Sequence, residues 1–185
     1  DKPADTYKNG TICTSVESVQ TISRKNSFPR NSIVAAGAVV ENKGKYSSLL
    51  HNICALVKIA VEEDKEYFSV KLEGSGSGDV LSGDIAITME SDLAVSVVKG
   101  SSSVTLTRDG GISAANYYLC VLPGTVTSPV LTYYRKDGSY VSMQYSGNVQ
   151  FYSGKITDLS SLGGSWVEVE GVQAGELESE NISKD

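Results

Sequence analysis

Apolar and polar residues alternate along this chain in short runs, with a period of two far more often than the spacing of a helix. The longest apolar run is Leu49–Val61 (LLHNICALVKIAV), bounded by Lys43-Gly44-Lys45 and by Glu62-Glu63-Asp64. A run of this kind, rich in β-branched residues, is what a strand buried on both faces looks like. Within it Ile53, Ala55, Val57, Ile59 and Val61 share one face. Cys54, Leu56 and Ala60 share the other with Lys58, whose charge marks an edge or a partly covered position. Tyr67–Glu73 (YFSVKLE) alternates, with Phe68, Val70 and Leu72 on one side. Tyr117–Leu122 (YYLCVL), ended by Pro123-Gly124, predicts a second buried strand.

Turn residues punctuate the rest. Thr11–Val16, Ile85–Met89, Leu93–Val98 and Val104–Thr107 predict short strands, and Val149–Ile156 the last clear one. Ile33–Val40 (IVAAGAVV) reads as extended, its alanines leaving a helix open, and Trp166–Val169 could add one more strand. Lys136-Asp137-Gly138-Ser139 predicts a hairpin between Val130–Arg135 and Tyr140–Tyr145, because Asp-Gly accepts the positive φ of a tight turn. Asp109-Gly110-Gly111 predicts a second hairpin-type turn, Gly74–Asp79 (GSGSGD) a flexible one, and Glu62-Glu63-Asp64 a solvated one. Together these elements predict an all-β chain, an antiparallel β-sandwich. The expected layout is a polar N-terminal segment and loop (1–32), a β-sandwich domain (33–162) and an acidic tail or linker (163–185).

A chain of 185 residues suffices for one large β domain; at this size it buries roughly 70% of its unfolded surface and needs no disulfide staples. The net charge of −6 argues against nucleic acid and against anionic lipid as partners, since both want a basic face. Cys13, Cys54 and Cys120 lack the close spacing of a zinc site. They read as buried small hydrophobes, with a Cys54–Cys120 disulfide as the alternative. Any Ser/His/Asp or Cys/His set must run through His51, the single histidine, which sits where a surface or edge imidazole is the ordinary outcome. Gly74–Gly78 has neither the Lys-Ser/Thr ending nor the following helix of a phosphate loop. The sequence therefore predicts no catalytic residue, no metal ligand and no cofactor. Tyr133, Tyr134, Tyr140, Tyr145 and Tyr152 could line a sugar-stacking or protein-binding face, though tyrosine is also ordinary on half-exposed sheets. Arg24 and Arg30 lie in a polar loop (SRKNSFPRNS) open to a trypsin-like protease.

The order of several short motifs resembles the fimbrillins, the type V pilins of the Bacteroidales with their anchor and tip subunits. The motifs are Leu49–Val61, Tyr67–Glu73, Leu81-Ser82-Gly83 leading into Asp84–Thr88, Asn116–Gly124 (NYYLCVLPG) and Val149–Leu159 (VQFYSGKITDL). The resemblance covers roughly residues 32–162. It implies a sandwich of transthyretin-like, Greek-key topology in a non-catalytic fimbrial subunit or accessory protein. It further implies export as a lipoprotein to the outer membrane, where a lipid-bearing segment later removed is the only membrane contact. Processing by a trypsin-like protease, with Arg24 or Arg30 as the candidate sites, and assembly with other fimbrial subunits by strand exchange also follow from it. A host or bacterial surface glycan or protein would be the adhesion ligand. Family members usually have two such domains and this chain has room for one, so Glu168–Asp185 reads as the start of a connector or the chain as a short accessory subunit. The alternative is a glycan- or protein-binding β-sandwich module of a surface lipoprotein.

Overall fold

The computed structural model describes residues 6–170 apart from 9, 31 and 90–92; the acidic end of the predicted tail, 171–185, lies outside the described residues. The strands are β1 Thr6–Lys8, β2 Thr11–Val16, β3 Val19–Ile22, β4 Ala35–Ala36, β5 Val39–Asn42, β6 Lys45–Ser48, β7 His51–Asn52, β8 Ala55–Glu73 and β9 Ser82–Met89. They continue with β10 Leu93–Ser101, β11 Ser103–Val121, β12 Gly124–Thr127, β13 Val130–Tyr134, β14 Tyr140–Tyr145, β15 Asn148–Phe151, β16 Ile156–Asp158 and β17 Gly164–Val169. One 3₁₀ turn, Leu159–Ser161, precedes β17. The fold is an all-β sandwich. A large sheet in the order β17-β14-β13-β8-β11-β3 curls into a half-barrel, and a four-stranded sheet, β1-β2-β9-β10, packs against it. Pairing is antiparallel except for β3 beside β11 and β16 beside β8, which are parallel.

β8 and β11, 19 residues each, form the spine of the large sheet. Ala55, Val57, Ile59 and Val61 pack inside the half-barrel with Tyr117, Leu119 and Val121, and this is the main core. A second, smaller core lies behind the same sheet: Val16, Ile85 and Ile87 of the small sheet close over Ile53, Cys54, Cys120 and Leu122. That arrangement explains Lys58. The small sheet reaches Leu56 but leaves Lys58 half-buried, as its charge predicts, with its ammonium 2.7 Å from the Asp158 carboxylate.

Four expectations need correction. Burial in the apolar run begins only at Ile53: Leu49 and Leu50 are 74% and 64% exposed, and among the described residues His51–Asn52 pair only with Ala35–Ala36. Ile33–Val40 is only partly in strands, and Val39 and Val40 stand exposed on a β5–β6 hairpin turned at Lys43-Gly44. Glu62-Glu63-Asp64 and Asp109-Gly110-Gly111 are not turns between strands but lie inside β8 and β11. From Thr107 to Ile112 β11 advances five residues while β8 advances two, and from Val61 to Glu66 the excess falls on β8, so the two insertions compensate. Gly110 and Gly111 take φ of +79° and +89° there, a conformation that a β-carbon disfavours. Finally, Phe68 points to solvent. The bulge moves the inward face from odd positions (Ile59, Val61, Tyr67) to even ones (Val70, Leu72), because a register slip turns side chains over.

The remaining expectations stand closer to the structure. Thr11–Val16 is a strand, and Tyr117–Leu122 is buried at Tyr117 and from Leu119 to Leu122. The Asp-Gly hairpin joins β13 to β14, with the Asp137 carboxylate accepting from the Ser139 N–H at 2.9 Å. Val149–Ile156 divides into β15 and the start of β16 around Ser153-Gly154, and Trp166–Val169 falls in β17. The Gly74–Asp79 turn forms where expected but is pinned, not flexible: Asp79 is buried, and its carboxylate accepts from the N–H groups of Gly76 (2.8 Å) and Thr127 (3.0 Å).

Candidate functional site

On the side of β8 away from β11 the ladder is interrupted. β16 pairs with residues 56–58 and β13 with residues 69–73. Between them, residues 59–68 have no ladder partner on that side among the described residues. Tyr133 bridges part of this gap by donating its hydroxyl to the Ala60 carbonyl at 3.3 Å. The curl of the sheet there leaves a cavity of about 450 Å³, in the ordinary size range for small-ligand sites.

Its floor is apolar, made by Ile59, Leu131 and Leu159. One wall is aromatic: the rings of Tyr67 and Tyr133 lie 4.9 Å apart, and those of Tyr133 and Trp166 lie 6.2 Å apart, all tilted. The tyrosines are buried, whereas Trp166, on β17 at the sheet's outer edge, is 57% exposed. Arg135 places its guanidinium 5.9 Å over the Tyr67 ring and donates to Glu168 at 2.8 Å and to the Ser139 hydroxyl at 3.2 Å. Burial pushes the phenols of Tyr67 and Tyr133 above their usual range, with nearby Arg135 opposing the shift at Tyr67. Burial raises Tyr145, also at the cavity, to about 12. All three are therefore neutral hydroxyls at physiological pH, able to donate as well as accept. The ion pair with Glu168 raises the Arg135 pKa further.

The five tyrosines singled out from sequence do not lie together. Tyr133 and Tyr145 face the cavity. Tyr134 and Tyr140 pair across β13 and β14, rings 5.7 Å apart, away from it. Tyr152 stands alone and exposed after β15. Sequence reasoning missed Trp166, Arg135, Tyr67 and Glu168; the available signal was the chain's single tryptophan in an alternating run, Trp166-Val167-Glu168-Val169.

Arg24 and Arg30 are both exposed, in the connection after β3. The loop between them is tied to β11: Lys25 donates to the Ala114 carbonyl at 3.3 Å, and Asn26 accepts from the Asn116 N–H at 3.0 Å. His51 is exposed on β7. Cys54 and Cys120 are buried thiols, not a disulfide, and both donate to the Ser32 carbonyl, at 3.8 and 2.9 Å. A hydrogen bond with Cys54, then burial, raises the Cys120 thiol pKa well above its ordinary value. Cys13 is exposed. Among the described residues, no three His, Cys, Asp or Glu side chains gather to hold a metal ion.

A second surface stands out in the small sheet. β10 is its outermost strand, paired on one edge with β9 and on the other with no described strand. Leu93–Gly100 is exposed residue by residue, and Leu93, Val95, Val97 and Val98 carry its apolar character against a single charge, Lys99. No family model matches the chain, and no curated protein or solved structure matches it.

Proposed function

We propose that this chain is a non-catalytic cell-surface subunit of a fimbrium, of the fimbrillin-like kind, joined to neighbouring subunits by strand addition. The observation that carries the proposal is the β10 edge. An unpaired row of N–H and C=O groups on an apolar strand is a template for another strand. Proteins that stay monomeric usually blunt such an edge with charges, proline or brevity. Here the strand is nine residues long, with its first charge at Lys99, after the register shift that follows Val97. Leu93–Val97 is thus a flat, uncharged segment, long enough for an added strand to pair along it. The β5–β6 hairpin supports the same reading: all eight of its strand residues are exposed, and Val39, Val40 and Tyr46 put apolar surface on it. Large apolar surface on a soluble domain marks an interaction site.

The test replaces two exposed valines of the edge strand, Val95→Lys with Val97→Lys, in the full chain. Wild-type protein is expected to form concentration-dependent oligomers, or to enter them when mixed with a partner subunit, as followed by sedimentation velocity. The double variant is expected to stay monomeric with its thermal unfolding unchanged. Wild-type protein that stays monomeric at high concentration and joins no subunit would overturn the proposal, as would a variant that assembles like wild type.

A further inference from the structure

We infer that the cavity walled by Trp166, Tyr133 and Tyr67 binds one neutral pyranose unit of a glycan. The inference goes beyond assembly and is independent of it, because the cavity belongs to the large sheet and the β10 edge to the small one.

Three features define the ligand. First, the wall is built of mutually tilted aromatic rings whose outermost member, Trp166, is mostly exposed. Aromatic faces attract apolar C–H surface, and an exposed indole at the mouth of a concave site leaves that attraction unspent. Second, the polar groups sit at the edge of this wall. Arg135 and Glu168 form an ion pair through one contact of 2.8 Å, and Glu168 remains largely exposed. Tyr145 also lines the cavity, its hydroxyl neutral and able to donate. A ligand lying on the aromatics must therefore present hydrogen-bonding groups around its perimeter. Third, the charges at the rim cancel: Glu62 and Glu168 against Lys65 and Arg135. A balanced rim offers little to an anion or a cation, and a wholly apolar ligand would strip water from these charges without replacing it. A pyranose has a C–H face for the wall and equatorial hydroxyls for the rim. Sites built to hydrogen-bond hydroxyls discriminate strongly against analogues that lack them.

Trp166 is the chain's one tryptophan, so its emission reports this site alone. The full chain is titrated with methyl glycosides of glucose, galactose, mannose and N-acetylglucosamine, with sodium sulfate and an uncharged extended pentapeptide as competing ligand classes. The expected result is a saturable shift of Trp166 emission with at least one glycoside and with neither competitor. Calorimetry with that glycoside should show binding weakened roughly tenfold in Arg135→Met, the scale of one lost polar or stacking contact. Binding should be lost in Trp166→Ala, whose exposed site leaves the fold intact, as checked by unchanged thermal unfolding. No response to any glycoside up to tens of millimolar would overturn the inference. So would preference for sulfate or for the peptide, and so would wild-type affinity in Trp166→Ala. None of these outcomes bears on oligomerisation, so the two proposals fail separately.

Discussion

Gln20 provides the sharpest test of how the sandwich is held together. It is 1% exposed, on β3, and its amide acts as a surrogate strand for Cys120. Nε2 donates to the Cys120 carbonyl at 2.6 Å and to the Glu17 carbonyl at 3.0 Å, while Oε1 accepts from the Cys120 N–H at 2.9 Å. Gln20→Leu keeps the volume but strands both backbone groups of Cys120 in a dry interior. At ~1–3 kcal/mol for each orphaned group the gross loss is roughly 2–6 kcal/mol. Burying the more apolar leucine side chain returns about 1–2 kcal/mol. The midpoints leave a net cost of roughly 2–3 kcal/mol, a large share of the ~5–15 kcal/mol that holds a domain folded. Urea unfolding followed by far-UV circular dichroism measures it. Gln20→Glu separates hydrogen bonding from packing. Its neutral acid keeps a donor for the Cys120 carbonyl, but its carboxylate does not, so its folded pKa is raised above the unfolded value near ~4.3. Stability should then be close to wild type at acid pH and fall as pH rises above that value, by up to ~1.4 kcal/mol per pH unit until the folded pKa is passed. A loss below ~1 kcal/mol in Gln20→Leu, or a Gln20→Glu variant with the pH profile of wild type, would refute the role given to this amide.

Three further outcomes follow from the structure. Lys58 and Asp158 hold β16 to β8, and the hydrogen bond from Lys58, aided by Ser160, keeps the Asp158 carboxyl below its ordinary pKa while raising that of Lys58. The pair's contribution is present between the unfolded values near ~3.9 and ~10.4, and is lost as pH falls through the folded Asp158 pKa or rises through that of Lys58. In NMR titration of the Asp158 carboxyl carbon, Lys58→Met should move the midpoint up toward the ordinary range, with the Ser160 bonds retaining part of the shift, and high salt should move it less in wild type; both groups are partly exposed, so the stability effect is small. Maleimide should label Cys13 at once and Cys54 and Cys120 only after unfolding, since both are buried and a raised pKa further suppresses the Cys120 thiolate; rapid native labelling at more than one site, read by mass spectrometry, would contradict their placement. Limited trypsin digestion should cut after Arg24 or Arg30 before any site within Leu49–Ile156, Arg30 being favoured because the Arg24 carbonyl already accepts from the Ser27 hydroxyl at 2.6 Å; a first cut inside that range fails the prediction.

What the sequence makes legible is local alternation. Ala55, Val57, Ile59 and Val61 share an inward face as their spacing demands, and the Asp-Gly hairpin forms where its turn chemistry puts it. What misleads is turn chemistry inside a long strand. Glu62–Asp64 and Asp109–Gly111 have the composition of turns, but they fall at neighbouring points of one ladder, where their excess residues offset each other as bulges. Phe68 follows from that, because alternation cannot be carried through a bulge that the sequence does not announce. Leu49 and Leu50 mislead differently, since hydrophobicity alone does not distinguish a core strand from an exposed arm. The cavity was half legible. Tyr133 and Tyr145 were visible as aromatics of neighbouring strands, but Tyr67, Arg135 and Trp166 come from separated segments that only the curl of the sheet brings together.

The spine of two long strands also sets the order in which this molecule can fold. β8 ends at Glu73 and its partner begins at Ser103, with β9 and β10 between them. The contacts that close the structure are more distant still, since Gln20 meets Cys120 and Lys58 meets Asp158 across 100 residues each. A chain synthesised from its N-terminus therefore carries Ala55, Val57, Ile59 and Val61 uncovered until residue 121 has emerged. Topologies dominated by such distant pairings fold slowly and pass through states with open apolar strands. Premature association is thus a hazard of the nascent chain at β8, quite apart from any association of the finished one at β10. Substitutions that speed closure of the β8–β11 ribbon should raise the yield of native protein more than their effect on final stability would suggest.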